Sequence, residues 1–128
     1  MSRQSRLRLR REFIGRSLLL WLPSVAYAVG VADYYLVTRA KGPAWDHSRR
    51  RREQAGWDEH AAFMDALVEE GLIVLGGPVG EGDGDDTLQV VDAESESAIR
   101  SRLAEDPWGE DMLTTKSIEP WSVWLRRE

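Results

Sequence analysis

One histidine on a predicted amphipathic helix is the residue of this sequence best suited to acid–base chemistry. His60 lies three residues after Trp57 and four before Met64, so at helical pitch it shares their apolar face. It is the only ionisable side chain on that face. Histidine exchanges protons near neutral pH. The pattern therefore predicts either a proton-transfer residue or a buried histidine that is hydrogen-bonded for stability alone.

The glycine- and aspartate-rich segment from Gly80 to Asp86 is a second candidate site. Its aspartates are calcium-type ligands, but the spacing lacks the distal glutamate of an EF-hand. Its Gly80-x-Gly82 pair is not followed by a helix, as a dinucleotide-binding fingerprint requires. We therefore predict a flexible acidic hairpin that can act as a lid over a pocket.

No metal site and no cofactor are predicted. The chain contains no cysteine, which excludes disulfides, thiolate metal sites and a cysteine nucleophile. Asp58 and Asp65 lie well round the helix from His60, so these three residues do not form a ligand set. His47 lies in a polar loop, where we expect it to be exposed. The basic run 49–52 is typical of a solvated loop or a helix start.

The elements that must position His60 follow from periodicity and turn signals. The predicted strands are 34–38, 72–75, 87–91 and 118–125, and the predicted helices are 57–70 and 94–104. This β-α-β-β-α-β order is the ferredoxin-like arrangement, an α+β fold with both helices on one face of an antiparallel sheet. The other face would remain bare in a monomer, which favours a homodimer.

The charge distribution divides the chain into two regions. Residues 1–32 carry six arginines and one glutamate, a net charge of +5, which leaves −10 for residues 33–128. An acidic body argues against nucleic acid as the main partner, because phosphate binding needs a basic surface. We assign 33–128 to one domain and treat 1–32 as an N-terminal extension outside the fold.

The extension has the parts of an export signal. Arg10-Arg11-Glu12-Phe13-Ile14 resembles a twin-arginine motif, and Ala26-Tyr27-Ala28 resembles a signal-peptidase site after an apolar run. The run is short for a stable membrane span, and Pro23 interrupts it. The alternative is a start codon placed too far upstream. We expect a cytoplasmic protein, with export through residues 1–32 as the alternative.

The ordered motifs of 33–128 resemble the YCII-related (YciI-like) family. The resemblance is carried by Trp57-Asp58-Glu59-His60-Ala61-Ala62-Phe63-Met64-Asp65-Ala66-Leu67, then Gly71, Leu75-Gly76-Gly77-Pro78, Asp106-Pro107-Trp108 and Ile118-Glu119-Pro120-Trp121. It implies a dimeric α/β barrel in which two ferredoxin-like sheets close face to face. It also implies an active site made by a histidine on the first helix and an aspartate after the second, here His60 and Asp106.

The resemblance further implies a small-molecule substrate. A few relatives eliminate chloride from hydroxylated aromatic rings, and related barrels isomerise lactones. In this reading His60 is the general base and Asp106 orients it or carries a second proton. We expect Trp57 and Trp108 to wall a flat ligand and include Pro78 among the substrate-binding residues. The alternative is a non-catalytic homodimer that binds a small molecule or a partner protein through the same cleft.

Overall fold

The structure is a computed structural model of the chain and describes residues 32–82 and 84–127. The N-terminal extension, apart from Ala32, therefore lies outside the described residues, as does Asp83 of the acidic loop. In chain order the elements are β1 (Tyr34–Lys41), a 3-10 turn (Arg51–Glu53), α1 (Trp57–Glu69), β2 (Ile73–Pro78), β3 (Asp86–Val91), α2 (Glu96–Leu103), α3 (Gly109–Met112) and β4 (Leu113–Trp121). No helix within these ranges is long and apolar enough to cross a membrane.

The four strands form one antiparallel sheet in the order β2-β3-β1-β4. Helix α1 connects β1 to β2, and the segment containing α2 connects β3 to β4. Because β3 lies between β1 and β2, the first crossover is a split βαβ unit. The observed topology confirms the predicted α+β, ferredoxin-like fold.

The main core lies between the sheet and the two long helices. On the sheet it is formed by Val37, Ile73, Val91 and Ile118, and on the helices by Leu67, Ile99 and Leu103. Burying an apolar side chain of this size stabilises a fold by about 1.5–3 kcal/mol. The core therefore holds both helices on one face of the sheet, which we call the inner face.

Helix α1 buries a narrower stripe than the sequence suggests. His60 and Leu67 are buried, and Met64 and Phe63 pack against the core. Helical pitch in the sequence places Val68 on the same apolar stripe as Met64 and Leu67, yet Val68 is 50% exposed. The sheet covers the side of the helix centred on positions 60, 64 and 67, so the next residue rotates out to solvent.

The last strand begins and ends earlier than predicted. We expected 118–125, whereas β4 spans Leu113–Trp121 and follows the single turn of α3. The polar sequence of its first half is typical of a loop. Leu113, the first residue of β4, is nevertheless buried on the inner face. Pro120 is accommodated because β4 is an edge strand, where a missing N–H does not break the sheet.

The outer face of the sheet carries apolar side chains. Leu75, Val90 and Leu36 form a row across β2, β3 and β1, because Val90 is paired with both leucines. Leu75 is 65% exposed. One end of this face is covered, since Arg126 lies over the Tyr34 ring and donates a hydrogen bond to its hydroxyl at 2.9 Å. Val90 is 7% exposed, so within the apolar row the bare surface expected from the sequence is that of Leu75.

Close backbone contact joins the end of β1 to α3. The N–H of Gly42 donates to the carbonyl of Met112 at 2.9 Å. A Cβ at Gly42 would overlap the carbonyl oxygen of Asp111. Glycine is therefore required there by the approach of two backbones, and it fixes how the segment after α2 returns to the sheet.

We expect Gly42→Ala to lower the free energy of unfolding by about 1–3 kcal/mol, the usual range for overpacking. Gly77→Ala is the matched control, because a Cβ at Gly77 meets no atom within 4 Å. Urea unfolding of both variants measures the difference. Equal stability of the two variants would contradict the close approach at Gly42.

Candidate active site

His60 is placed at the end of the first turn of α1. The helix begins after Gly56, whose φ of 77° is in the left-handed region that favours glycine. The N–H of His60 donates to the Gly56 carbonyl at 3.0 Å, so the ring is fixed to a rigid helical turn. The residue is 5% exposed, as the predicted apolar face requires.

Asp106 is placed by a tight turn after α2. The N–H of Gly109 donates to the Asp106 carbonyl at 3.0 Å, with Pro107 at the second turn position that proline favours. The N–H of Trp108 donates to Oδ1 of Asp106 at 2.9 Å, which is the geometry of an Asx turn. The sequence Asp-Pro-Trp-Gly thus holds the carboxylate in place locally, and the residue is 4% exposed.

The fold brings His60 and Asp106 together across 46 positions of sequence. Nδ1 of His60 lies 2.9 Å from Oδ1 and 3.0 Å from Oδ2 of the carboxylate. Since an ionised carboxylate can only accept, Nδ1 carries the proton and Nε2 carries the lone pair in the neutral ring. Nε2 makes no hydrogen bond with any residue of 32–82 or 84–127 and is available to an external group.

Arg39 is a third member of the site that the sequence reasoning missed. Its Nη1 donates to Oδ2 of Asp106 at 3.1 Å, and its Nη2 donates to the Leu113 carbonyl at 3.3 Å. The residue is 1% exposed. A signal was available, because Arg39 follows Val37 by two positions and so shares the inner face of β1. An arginine at a core-facing strand position requires a buried anion.

The surroundings of Asp106 favour its ionised form. Burial by itself raises the pKa of the carboxyl group, but hydrogen bonds from His60 and the Trp108 N–H, together with the charges of His60 and Arg39, outweigh it. The pKa therefore lies below its ordinary value. A permanent anion next to Nδ1 both fixes the tautomer of His60 and stabilises the imidazolium that forms when Nε2 takes a proton.

A tryptophan cluster holds the histidine ring. Trp108 stacks on His60 with ring centroids 4.0 Å apart and an interplanar angle of 7°. Trp108 is 6% exposed, its Nε1 donates to the Ala55 carbonyl at 2.7 Å, and Trp45 meets it edge-on at 5.5 Å. One face of Trp108 is thus occupied by His60, so this contact orients the imidazole.

The two other predicted ligand contacts lie at the start of α1 and at the end of β2. Trp57 is half-buried, with its ring centroid 5.8 Å from that of His60, and Arg52 lies over it. Pro78 is exposed at the end of β2, in the same row as Thr87 and Arg39 across the sheet. Pro78 therefore lies two strands away from Arg39, a separation of about 10 Å at ordinary strand spacing.

The remaining polar candidates are occupied elsewhere. Within the described residues no group of three His, Asp or Glu side chains is arranged to hold a metal. In the acidic loop, Asp85 pairs with Lys41 at 3.6 Å and Asp86 with Lys116 at 3.2 Å. His47 is exposed, as expected.

The basic run belongs to a loop that is held by a buried glutamine. Gln54 is 4% exposed, and its amide accepts from the N–H of Asp46 and donates to the carbonyls of Asp46 and Arg49. The run overlaps the 3-10 turn, and the Arg51 guanidinium lies over the Trp45 ring, 5.1 Å from its centroid. The basic loop therefore packs around the tryptophan cluster.

Fold and site define a ferredoxin-like α+β protein with a buried His–Asp–Arg cluster on the inner face of its sheet. A solved structure with the same fold is 5-chloro-2-hydroxyhydroquinone dehydrochlorinase from Burkholderia phenoliruptrix, in complex with 2,5-dihydroxybenzoquinone. The TM-score is 0.51 at 23% identity over 71% of this chain and 95% of that chain. Similarity at this level shows the fold. No family model and no curated protein matches the sequence.

We expect Asp106→Asn to lower the free energy of unfolding at neutral pH by roughly 3–5 kcal/mol, because it leaves the buried Arg39 without its counter-charge. Because the folded-state pKa of Asp106 lies below its ordinary value of about 3.9, its charge stabilises the fold above that pH. The stabilisation is lost as the pH falls through the lower folded-state pKa.

Urea unfolding of the wild type and of Asp106→Asn, from neutral pH down to about pH 3, measures this effect. The difference in free energy of unfolding between the wild type and Asp106→Asn should become smaller only at the acid end of this pH range. Asp65→Asn, at an exposed position of α1, is the control and should leave the stability almost unchanged. A gap that keeps the same size down to the lowest pH would show that the carboxylate charge is not what stabilises the site.

Proposed function

We propose that this chain is a YCII-related enzyme of small-molecule metabolism that uses His60 and Asp106 as an acid–base pair. The observation that carries the proposal is the direction of the imidazole. Nδ1 is held by a buried carboxylate at 2.9 Å, while Nε2 has no partner among the described side chains. A histidine that served stability alone would gain more from having both nitrogens bonded.

The reaction class that suits this pair is proton abstraction followed by elimination or isomerisation. Nε2 of His60 takes a proton from a hydroxyl group or from a carbon next to a carbonyl. In elimination, the electron pair left behind forms a new double bond and the leaving group departs as an anion. In isomerisation, the imidazolium returns the proton to another carbon. Both routes balance without an oxidant, a reductant or a metal.

Asp106 supports that step without touching the substrate in this scheme, and Arg39 supports it through its contact with Asp106. The carboxylate stabilises the imidazolium, and the guanidinium at 3.1 Å keeps the carboxylate ionised. Trp108 fixes the plane of the imidazole by stacking on it. We therefore propose that Trp108 positions His60, while half-buried Trp57 offers an apolar surface to the substrate.

A hydroxylated aromatic or lactone-like compound is the proposed substrate class. A solved protein of the same fold is a dehydrochlorinase with 2,5-dihydroxybenzoquinone bound. Aromatic side chains beside a base suit a flat ring whose hydroxyl or enol proton can be removed. Pro78 lies at the exposed end of β2, where it can contact such a ring.

We expect His60→Gln to abolish turnover while binding persists, because glutamine fills the same space and cannot act as a base. The loss should be about a hundredfold or more, the usual contribution of general base catalysis. Turnover is measured on a panel of chlorinated hydroxyhydroquinones and lactones. Binding is measured by calorimetry with 2,5-dihydroxybenzoquinone, which we call the hydroxyquinone probe.

His47→Gln is the matched control, because His47 is the other histidine of the chain and is exposed. It should leave both turnover and binding unchanged. A wild-type protein that binds the probe and converts no member of the panel would instead support a non-catalytic, small-molecule-binding homodimer. A His60→Gln variant that turns over normally would exclude His60 as the base.

We also propose that two copies pair through the outer faces of their sheets. The apolar row of Leu75, Val90 and Leu36 is on that face, and Leu75 is 65% exposed. Burying such a row removes apolar surface from water, and closing two sheets face to face is the arrangement implied by the family resemblance. The site on the inner face is not blocked by this pairing.

We expect Leu75→Glu to convert a dimer into a monomer, because two like charges would be placed in an apolar interface. Val68→Glu is the control, since Val68 is 50% exposed on the helical side of the molecule. Sedimentation velocity measures the mass of both variants and of the wild type. A wild type that sediments as a monomer, or a Leu75→Glu variant that stays dimeric, would contradict pairing through this face.

A further inference from the structure

Three buried polar atoms on β1 and β3 have no hydrogen-bond partner among the described residues. They are Nε of Arg39, Oγ1 of Thr87 and Oε1 of Gln89. Arg39 and Gln89 are 1% and 3% exposed. Buried polar groups are nearly always paired, because an unpaired one has lost its hydration without gaining a hydrogen bond. Three such atoms together indicate a partner that the fold itself does not supply.

The three side chains point to the same side of the sheet. Arg39 is paired with Thr87, and Val37 is paired with Gln89 in the same antiparallel ladder. Directly opposed residues of such a ladder share a face, as do residues two apart on one strand. Because Arg39 reaches Asp106 on the inner face, Thr87 and Gln89 are on the side of the acid–base pair.

The edge of the sheet next to Gln89 is open. Gly76 of β2 is paired with Gln89 and is exposed, so no side chain covers the inner face at that position. A Cβ at Gly76 would come within 3.1 Å of Cγ of Gln89 and 3.0 Å of the Leu88 carbonyl oxygen. The side chain of Gln89 therefore lies next to the uncovered backbone of Gly76. Thr87 lies two residues away from Gln89 on the same strand.

The donor and acceptor types define the ligand chemistry. Nε of Arg39 can only donate, so it requires an acceptor such as a carbonyl or enolate oxygen. Oε1 of Gln89 can only accept, so it requires a donor such as a hydroxyl group, and the hydroxyl of Thr87 can both donate and accept. A compound with a hydroxyl group and a carbonyl or enolate oxygen on one edge satisfies all three atoms. An apolar ring would leave every one of them unpaired.

We propose that Thr87, Gln89 and Nε of Arg39 form a polar subsite that recognises the hydroxy–carbonyl edge of the substrate. The inference rests on the proposed function, since it assigns the specificity of the same site. The subsite is distinct from the acid–base pair, because Thr87 and Gln89 take no part in the contacts of His60 and Asp106. A substrate held by this edge over Gly76 would present its ring toward α1.

Thr87→Val is the most informative change, because it replaces a buried, unpaired hydroxyl by a methyl group of the same shape. If the hydroxyl serves only a ligand, its loss should leave the free energy of unfolding unchanged or raise it. The same variant should raise the dissociation constant of the hydroxyquinone probe about fivefold, the usual effect of losing one hydrogen bond. Thr38→Val, on the outer face of β1, is the matched control and should not change binding.

Gln89→Met tests the second position, since methionine keeps the length of the side chain and removes its polar end. Combined with Thr87→Val, it should raise the dissociation constant of the probe about twentyfold or more. The dimethyl analogue of the probe, in which methyl groups replace both hydroxyls, should bind the wild type and the double variant equally weakly.

The outcomes separate this proposal from the proposed function. If the probe binds the double variant as tightly as the wild type, the subsite is wrong, while the loss of turnover in His60→Gln can still support the acid–base role. If the double variant loses binding and no compound is ever turned over, the subsite stands and the enzyme proposal fails. A Thr87→Val variant clearly less stable than Thr38→Val would show an internal partner for the hydroxyl and overturn the subsite.

Discussion

The buried carboxylate of Asp106 is the interaction on which the rest of the site depends. It accepts from the Nδ1 of His60, from a guanidinium nitrogen of Arg39 and from the backbone N–H of Trp108. A buried anion is tolerated only when charge and hydrogen bonds compensate its lost hydration. Three structural elements, α1, β1 and the turn after α2, each supply one donor, so the charge also specifies how these elements must meet.

The same arrangement explains why the site is rigid. The Asp-Pro-Trp-Gly turn fixes the carboxylate, and the Trp108 of that turn stacks on the histidine that the carboxylate binds. The indole nitrogen then donates to the Ala55 carbonyl just before α1. Ring plane, tautomer and distance are therefore set by one short segment. Such preorganisation is what proton transfer by a single side chain requires.

The inner face of the sheet divides into an apolar and a polar part. Val37 and Val91 belong to the core beneath the helices, whereas Arg39, Thr87 and Gln89 carry polar atoms toward one end of β1 and β3. The free energy of unfolding of a fold of this size is small, and unpaired buried polar groups lower it further. Their presence beside the buried His60 and Asp106 is the kind of local inconsistency that motivates the proposed polar subsite.

Much of the fold was predictable from the sequence, because helix periodicity, strand alternation and the Gly and Pro signals are local properties. They placed β1, α1, β2, β3 and α2 in the right order and put His60 on a buried face. They placed the last strand too late in the chain, because the polar first half of β4 becomes a strand only through pairing with β1. They also put Val68 on a stripe that the sheet does not cover, since the width of the contact depends on the partner surface.

The sequence by itself thus determined the element order, the direction in which His60 points and the turn that holds Asp106. Only the tertiary structure decided which residues meet. Arg39, His60 and Asp106 are far apart along the chain, and their distances follow from strand order and helix packing, which no local pattern contains. The unpaired atoms of Thr87 and Gln89 are likewise visible only in the folded chain, because pairing is a property of neighbours in space.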